Sequence, residues 1–195
     1  MAVRRRAEMM EKNRLKLIAA ARKAFAEKGF AASSMDELTA SAGLTRGALY
    51  HNFGDKRGLL AAVVAQLDGE MAQRAKEVAS TATEGWEQFV AEGTAYIRMA
   101  LDPEVQRIVL LDGPAFLGDP SSWPSQNACL EATRHAVAEM VSKGILKPVD
   151  VEAAARLLNG AALNAALWVA AAEEPDLRLP KATEAFVLMA EGLRL

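Results

Sequence analysis

The chain has 195 residues, 51% of them apolar and 25% charged, with a single cysteine, Cys129. That length gives room for one large or two small domains with a sizeable core, and one cysteine excludes an internal disulfide framework and a cysteine-based metal cluster. The net charge of −2 hides a split: residues 1–56 hold eleven Lys/Arg against six Asp/Glu, a net of +5, which leaves −7 on the remainder. A basic beginning on an acidic body points to an anionic partner for the first part only.

Ala, Leu, Glu, Arg and Met favour helix, and no alternating β-branched run is present, so the composition predicts an all-α fold. Arg4–Arg6 is followed by charged residues and not by an apolar stretch, which argues against a signal peptide. The longest apolar run, 157–172, is broken by Asn159 and Asn164 and is short for a membrane span. A cytoplasmic protein with no membrane partner is expected.

Residues 1–10 read as a mobile basic arm. A first helix is predicted over about 11–28, with Leu17, Ile18, Ala21 and Phe25 on one face and Gly29 as its stop. The segment 33–56, SSMDELTASAGLTRGALYHNFGDK, follows. Ser34 with Glu37 three places on forms a capping box. Met35, Leu38 and Ala42 share a helical face, Gly43 turns the chain, and Thr45 caps a second short helix. Helix, glycine turn and helix make a helix-turn-helix, whose second helix enters a DNA major groove.

Candidate DNA contacts are Ser33, Ser34, Thr45, Arg46, Gly47, Ala48, Tyr50, His51 and Lys56. Arg46 can grip guanine in bidentate fashion or pair with a phosphate. Gly47 and Ala48 allow close backbone approach. Tyr50 either meets DNA or packs half-buried, and Ser33 and Ser34 can donate to phosphate as well as cap.

Phe25, Gly29, Phe30, Ser33, Leu38, Ala42, Gly43, Leu44, Leu49, Tyr50, Phe53, Lys56 and Leu59 fall, over about forty residues without a gap, at spacings that resemble the DNA-binding head of the tetracycline-repressor (TetR) family. The resemblance implies an all-helical homodimer with a three-helix head, residues 1–56, and a larger ligand-sensing and dimerisation domain, residues 57–195. It implies that Lys56 grips phosphate. Asn52 stands where the family often has His.

A long helix is predicted from Asp55 to about residue 78, linking head and body. The next, about 84–100, carries Trp86, Phe89, Gly93 and Tyr96 on one stripe. Gly93 leaves space, and the Tyr96 hydroxyl needs a partner if buried, which suits a pocket wall. Asp102-Pro103 opens a short helix over 104–111. The stretch 112–124, DGPAFLGDPSSWP, with three Pro and two Gly, is the least helical, and it too resembles a segment of TetR relatives. Its aromatic groups either close the pocket or pin the loop to the core.

Helices are then predicted over 125–143, over 151 to about 173 and over 181–195, with Pro175 and Pro180 bounding a loop. The family pairs its last two helices across a two-fold axis, and here they are too apolar for a monomer surface. Leu157, Ala161, Asn164, Phe186 and Met189 are the candidate dimer contacts. Asn159 and Asn164 either fix register or line the pocket.

An apolar effector is expected, met by Trp86, Phe89, Tyr96, Met99, Ile108, Asp112, Phe116, Trp123 and Trp168. With two His and no ligand spacing, no metal or cofactor is expected. No catalytic constellation is legible, so the chain is not read as an enzyme. The leading function is a homodimeric repressor on a near-palindromic double-stranded operator, released by a small molecule. The alternative is a ligand-independent or partner-controlled DNA binder whose body only dimerises.

Overall fold

The structure is a computed structural model that describes residues 2–83 and 85–195. The all-α expectation holds. The head is α1 (Ala2–Lys28), α2 (Met35–Ser41) and α3 (Arg46–Phe53), followed by the long α4 (Lys56–Ala79). The body adds α5 (Trp86–Arg98), α6 (Pro103–Val105), a π-helical stretch (Gln106–Asp112), α7 (Gly113–Leu117), α8 (Pro124–Ser142), α9 (Val151–Ala170) and α10 (Pro175–Glu191). One antiparallel bridge, Leu146 to Arg194, ties the α8–α9 connection to the last residues.

The caps read from the sequence are present. The Glu37 amide donates to Ser34 Oγ at 3.1 Å and the Ser34 amide to Glu37 Oε2 at 3.4 Å, so two otherwise orphaned donors at the start of α2 are satisfied. Thr45 caps α3 through the Ala48 amide at 3.3 Å, and Asp55 caps α4 through Gly58 at 2.7 Å. Gly43 takes φ +65 in the turn between α2 and α3, a conformation that costs a side-chain-bearing residue about 1 kcal/mol.

Three boundaries differ from expectation. Residues 2–10 are helical and not a mobile arm, because Arg, Ala, Glu and Met favour helix, no breaker intervenes, and Arg4 pairs with Glu8 one turn on at 3.0 Å. The stretch 112–124 is largely helical: Pro114 enters in the first turn of α7, where a missing N–H is tolerated, so helical structure runs from 103 to 117. The last helix starts at Pro175 and not at 181. Pro180 lies near its start and removes only the bond to the Asp176 carbonyl. The predicted start of the fifth helix at Glu84 lies outside the described residues.

The core is continuous from head to body. Leu17, Ala21 and Phe25 of α1, Leu38 of α2 and Leu49 of α3 close on Leu59, Leu60 and Val63 of α4, and the same α4 buries Leu67, Met71 and Ala75 among body helices. A second cluster at the far end joins Trp86, Val137, Met140, Leu146, Ala154, Leu158 and Ala190. Within the first cluster α4 packs against both the head helices and the body helices.

Candidate functional site

Two regions carry function-bearing side chains, and α4 runs between them. The first is the face of α3. Leu49 is fully buried against α4, which turns Arg46, Gly47, Tyr50 and His51 outward; Tyr50 is 52% exposed. Thr45 and Ala48 stand at the start of α3, the end that reaches base edges. Arg46 is held in the free protein by Asp36 of α2 through a two-pronged ion pair, which also pulls the Asp36 carboxyl below its usual range. Ser34 stays exposed at the start of α2.

Two candidates in the head have internal roles. Ser33 is buried at 1% exposure, and its hydroxyl donates to the Gly29 carbonyl at 2.8 Å, so it faces the core and not a groove. Lys56 Nζ donates to the Phe30 and Ser33 carbonyls, both at 2.8 Å, and lies 4.3 Å from the centre of the Phe30 ring. Those carbonyls belong to the irregular connection after α1, so Lys56 ties that connection to the start of α4. In the free protein two of its N–H groups are thereby engaged.

The second region is a cavity of about 720 Å³ in the body. Its walls are Ala65, Asp68, Gly69, Ala72, Ala75 and Lys76 of α4, Phe89, Glu92, Gly93 and Tyr96 of α5, and residues of α8, α9 and α10 that include Ser125, Gln126, Cys129, Leu158, Asn159 and Phe186. Ala65 and Gly69 of α4 and Ala128 and Ala132 of α8 are small and exposed, and they leave a mouth between the two helices. Burial pushes the Asp68, Glu92, Tyr96 and Cys129 groups up, which favours their neutral forms.

Of the nine residues expected to meet a ligand, Phe89 and Tyr96 line this cavity. The other seven are elsewhere. Trp86 is buried in the far cluster, its indole N–H donating to Glu191 at 2.6 Å. Met99 and Ile108 are core. Trp123 packs over Gly113, where an added Cβ would meet its ring at 2.7 Å. Trp168 is 47% exposed on α9 beneath the Arg178 guanidinium.

Asp112 and Phe116 lie at the junction of body and head. Asp112 Oδ2 accepts from the Phe30 amide at 2.7 Å, and the Phe116 and Phe30 ring centres are 4.5 Å apart. Arg22 of α1 reinforces this junction with two bonds of 2.7 Å to Glu104 and one of 2.7 Å to Glu70. Sequence reasoning missed Arg22, Glu70 and Glu104, since 48 and 82 residues separate the partners and no motif links them.

The candidate dimer contacts also divide. Leu157 is 73% exposed, Met189 51%, Asn164 is exposed and Ala161 half-buried. Phe186, by contrast, is 4% exposed and fills the space beside Gly93 in the cavity wall, so it is not an outward contact. Asn159 lines the cavity. Among the described residues no group of three His, Cys, Asp or Glu could hold a metal ion, and no helix is long and apolar enough to cross a membrane.

Residues 17–63 match the family described as bacterial regulatory proteins, tetR family, and residues 86–193 match the tetracyclin repressor-like C-terminal domain. A solved TetR-family transcriptional regulator from Pectobacterium atrosepticum is 46% identical, with a TM-score of 0.87 over 96% of this chain and 97% of its own. The TetC protein of transposon Tn10 from Escherichia coli is 30% identical over 74% of this chain and 73% of its own. RolR, solved in complex with resorcinol, shares the fold at 20% identity and a TM-score of 0.70, covering 92% of this chain and 89% of its own. The chain belongs to the TetR family, whose members are DNA-binding transcriptional regulators and not enzymes.

Proposed function

We propose that this protein is a homodimeric repressor that leaves its operator when a small, largely apolar molecule enters the body cavity. The observation that carries the reading is the placement of α4. Its middle lines the cavity with Ala65, Asp68, Gly69 and Ala72, while its first residue, Lys56, holds the carbonyls of Phe30 and Ser33 in the head. A ligand that prefers one position of α4 therefore prefers one position of the head, and its differential affinity sets how far the equilibrium moves.

In this reading residues 1–56 form the DNA-reading head and residues 57–195 the sensing and dimerising body. Thr45, Arg46, Gly47 and Ala48 approach the groove together with Tyr50 and His51, and Ser34 lies near the phosphates. Leu157, Trp168, Leu177 and Leu188 are exposed apolar groups on α9 and α10, which supports pairing of these helices with a second copy. Two heads about 34–36 Å apart then read a near-palindromic operator. The complex of RolR with resorcinol supports a compact effector. The open cavity counts against a body that only dimerises.

The test is to select the operator from random DNA with the purified protein. A palindromic site bound by a dimer, and released by molecules that raise the melting temperature, supports the reading. A monomer on a non-repeated site overturns it.

A further inference from the structure

Two residues of the cavity wall carry buried polar atoms without a hydrogen-bond partner among the described residues. Asp68 is 2% exposed. Its Oδ2 accepts from Ser125 Oγ at 2.5 Å and from Gln126 Nε2 at 3.4 Å, while Oδ1 has no partner among the described residues. The Tyr96 hydroxyl, on the facing helix α5, lies near the Gln126 side chain but makes no hydrogen bond of normal geometry with any described residue. Both residues line the cavity, and burial first, then the neighbouring Asp68, keep the phenol proton in place. Buried orphans of this kind are uncommon, because each carries the full cost of lost water. The apolar part of the wall is Phe89, Leu158, Ala162 and Phe186, and Lys76, Glu92, Thr133 and Asn159 add polar groups to it.

The two orphans ask for different things. A carboxylate oxygen accepts, and a phenol whose proton has no acceptor donates. One hydroxyl group answers both, since its O–H donates to Asp68 and its lone pair accepts from Tyr96. An ammonium answers only Asp68. A carboxylate would add another charge to a wall on which burial already disfavours the charges of Asp68 and Glu92.

We propose that the cavity recognises a compact apolar alcohol or phenol, whose hydroxyl bridges Asp68 Oδ1 and the Tyr96 hydroxyl while its hydrocarbon body rests on Phe89, Leu158 and Phe186. This rests on the reading of the cavity as the effector site, and it adds the chemical group that the site selects.

Calorimetric titration with four probes of one shape tests it: 2-naphthol, 2-methoxynaphthalene, 2-naphthylmethylamine and 2-naphthoate. 2-Naphthol binds most tightly, and the methyl ether, which lacks the proton, binds about tenfold or more weakly. Asp68→Asn and Tyr96→Phe each lower naphthol affinity severalfold or more; Asp68→Asn leaves the ether unchanged, Tyr96→Phe weakens it because its oxygen still accepts from the phenol, and the amine depends on Asp68 alone. The proposal is overturned if no probe binds at millimolar concentration, if the ether or naphthoate matches naphthol, or if both variants leave the order unaltered. Fluorescence anisotropy of labelled operator in the same samples separates the two levels. Naphthol bound through Asp68 with the operator still held sinks the effector reading and leaves the recognition intact. Release by all four probes alike sinks the recognition only.

Discussion

Asp68→Asn, which removes a charge from the interior, is expected to stabilise the unliganded protein at neutral and higher pH. The carboxylate is 2% exposed and keeps one oxygen unpaired, with Ser125 and Gln126 on the other. Burial raises its pKa above the unfolded value, against the opposing pull of those two donors. The folded state thus holds the proton more tightly than the unfolded chain does. Stability linked to this group is full below the unfolded pKa, about 3.9, and is lost as pH rises through the higher folded value. An amide has no such titration, so the variant's advantage grows over that window and is constant above it. A buried, unsatisfied polar group costs about 1–3 kcal/mol, and for a chain of this size each kcal/mol moves the melting temperature by about 2–4 °C. The variant is therefore expected to melt about 2–12 °C higher at pH 8, with the gap closing toward pH 4. Glu92, also raised by burial, titrates in both proteins and cancels in the difference, and Cys129, pushed up from its ordinary value by burial and by Asp68, stays a thiol from pH 4 to 8. Calorimetric melting of both proteins from pH 4 to 8 is the assay. A variant that is less stable at pH 8, or a gap that does not change with pH, refutes the argument.

Gly93→Ala places a Cβ 2.6 Å from the Phe186 ring, which must swing into the cavity. Naphthol affinity should fall about tenfold, and the overpacking should cost about 1–3 kcal/mol in denaturant titration, with operator binding kept. Tyr50→Ala should weaken operator binding in a gel shift and leave the melting temperature unchanged, since the ring is half exposed. Lys56→Met should behave in the opposite way, losing about 1–3 kcal/mol of stability as the Phe30 and Ser33 carbonyls lose their donor. Asp36→Asn releases Arg46 and removes a negative charge from the DNA face, so operator affinity should rise severalfold and fall more steeply with salt.

The head was legible in the sequence because its signals are local. Ser34 with Glu37, Gly43, Thr45 and Asp55 act within four residues of themselves, and each stands where its letter placed it. The body was legible in outline only. Apolar periodicity located α5, α8 and α9, but it could not say which aromatic groups face the cavity. Phe89 and Tyr96 do, whereas Trp86, one turn away from Phe89, turns to Glu191. Phe186 and Met189 were read together as dimer contacts on one side of the last helix, but the turn of α10 places Phe186 inward and Met189 outward. Ser33 and Lys56 match family positions, yet what they bond is set by the Gly29–Ser33 connection folding back on α4. The small residues of α4 and α8 carried the strongest unread signal: Ala65, Gly69, Ala128 and Ala132 left the space that the aromatic residues were expected to enclose.

The central claim is that occupancy of the cavity and grip on DNA are coupled through α4. Its most direct test is the affinity of the dimer for its selected operator, measured by fluorescence anisotropy at fixed salt with and without a saturating cavity ligand whose binding is verified by calorimetry. Coupling of the usual size, about 1–3 kcal/mol, raises the operator Kd about 5–150-fold, and the operator weakens the ligand by the same factor. An operator Kd that is identical with the cavity full and empty contradicts the account.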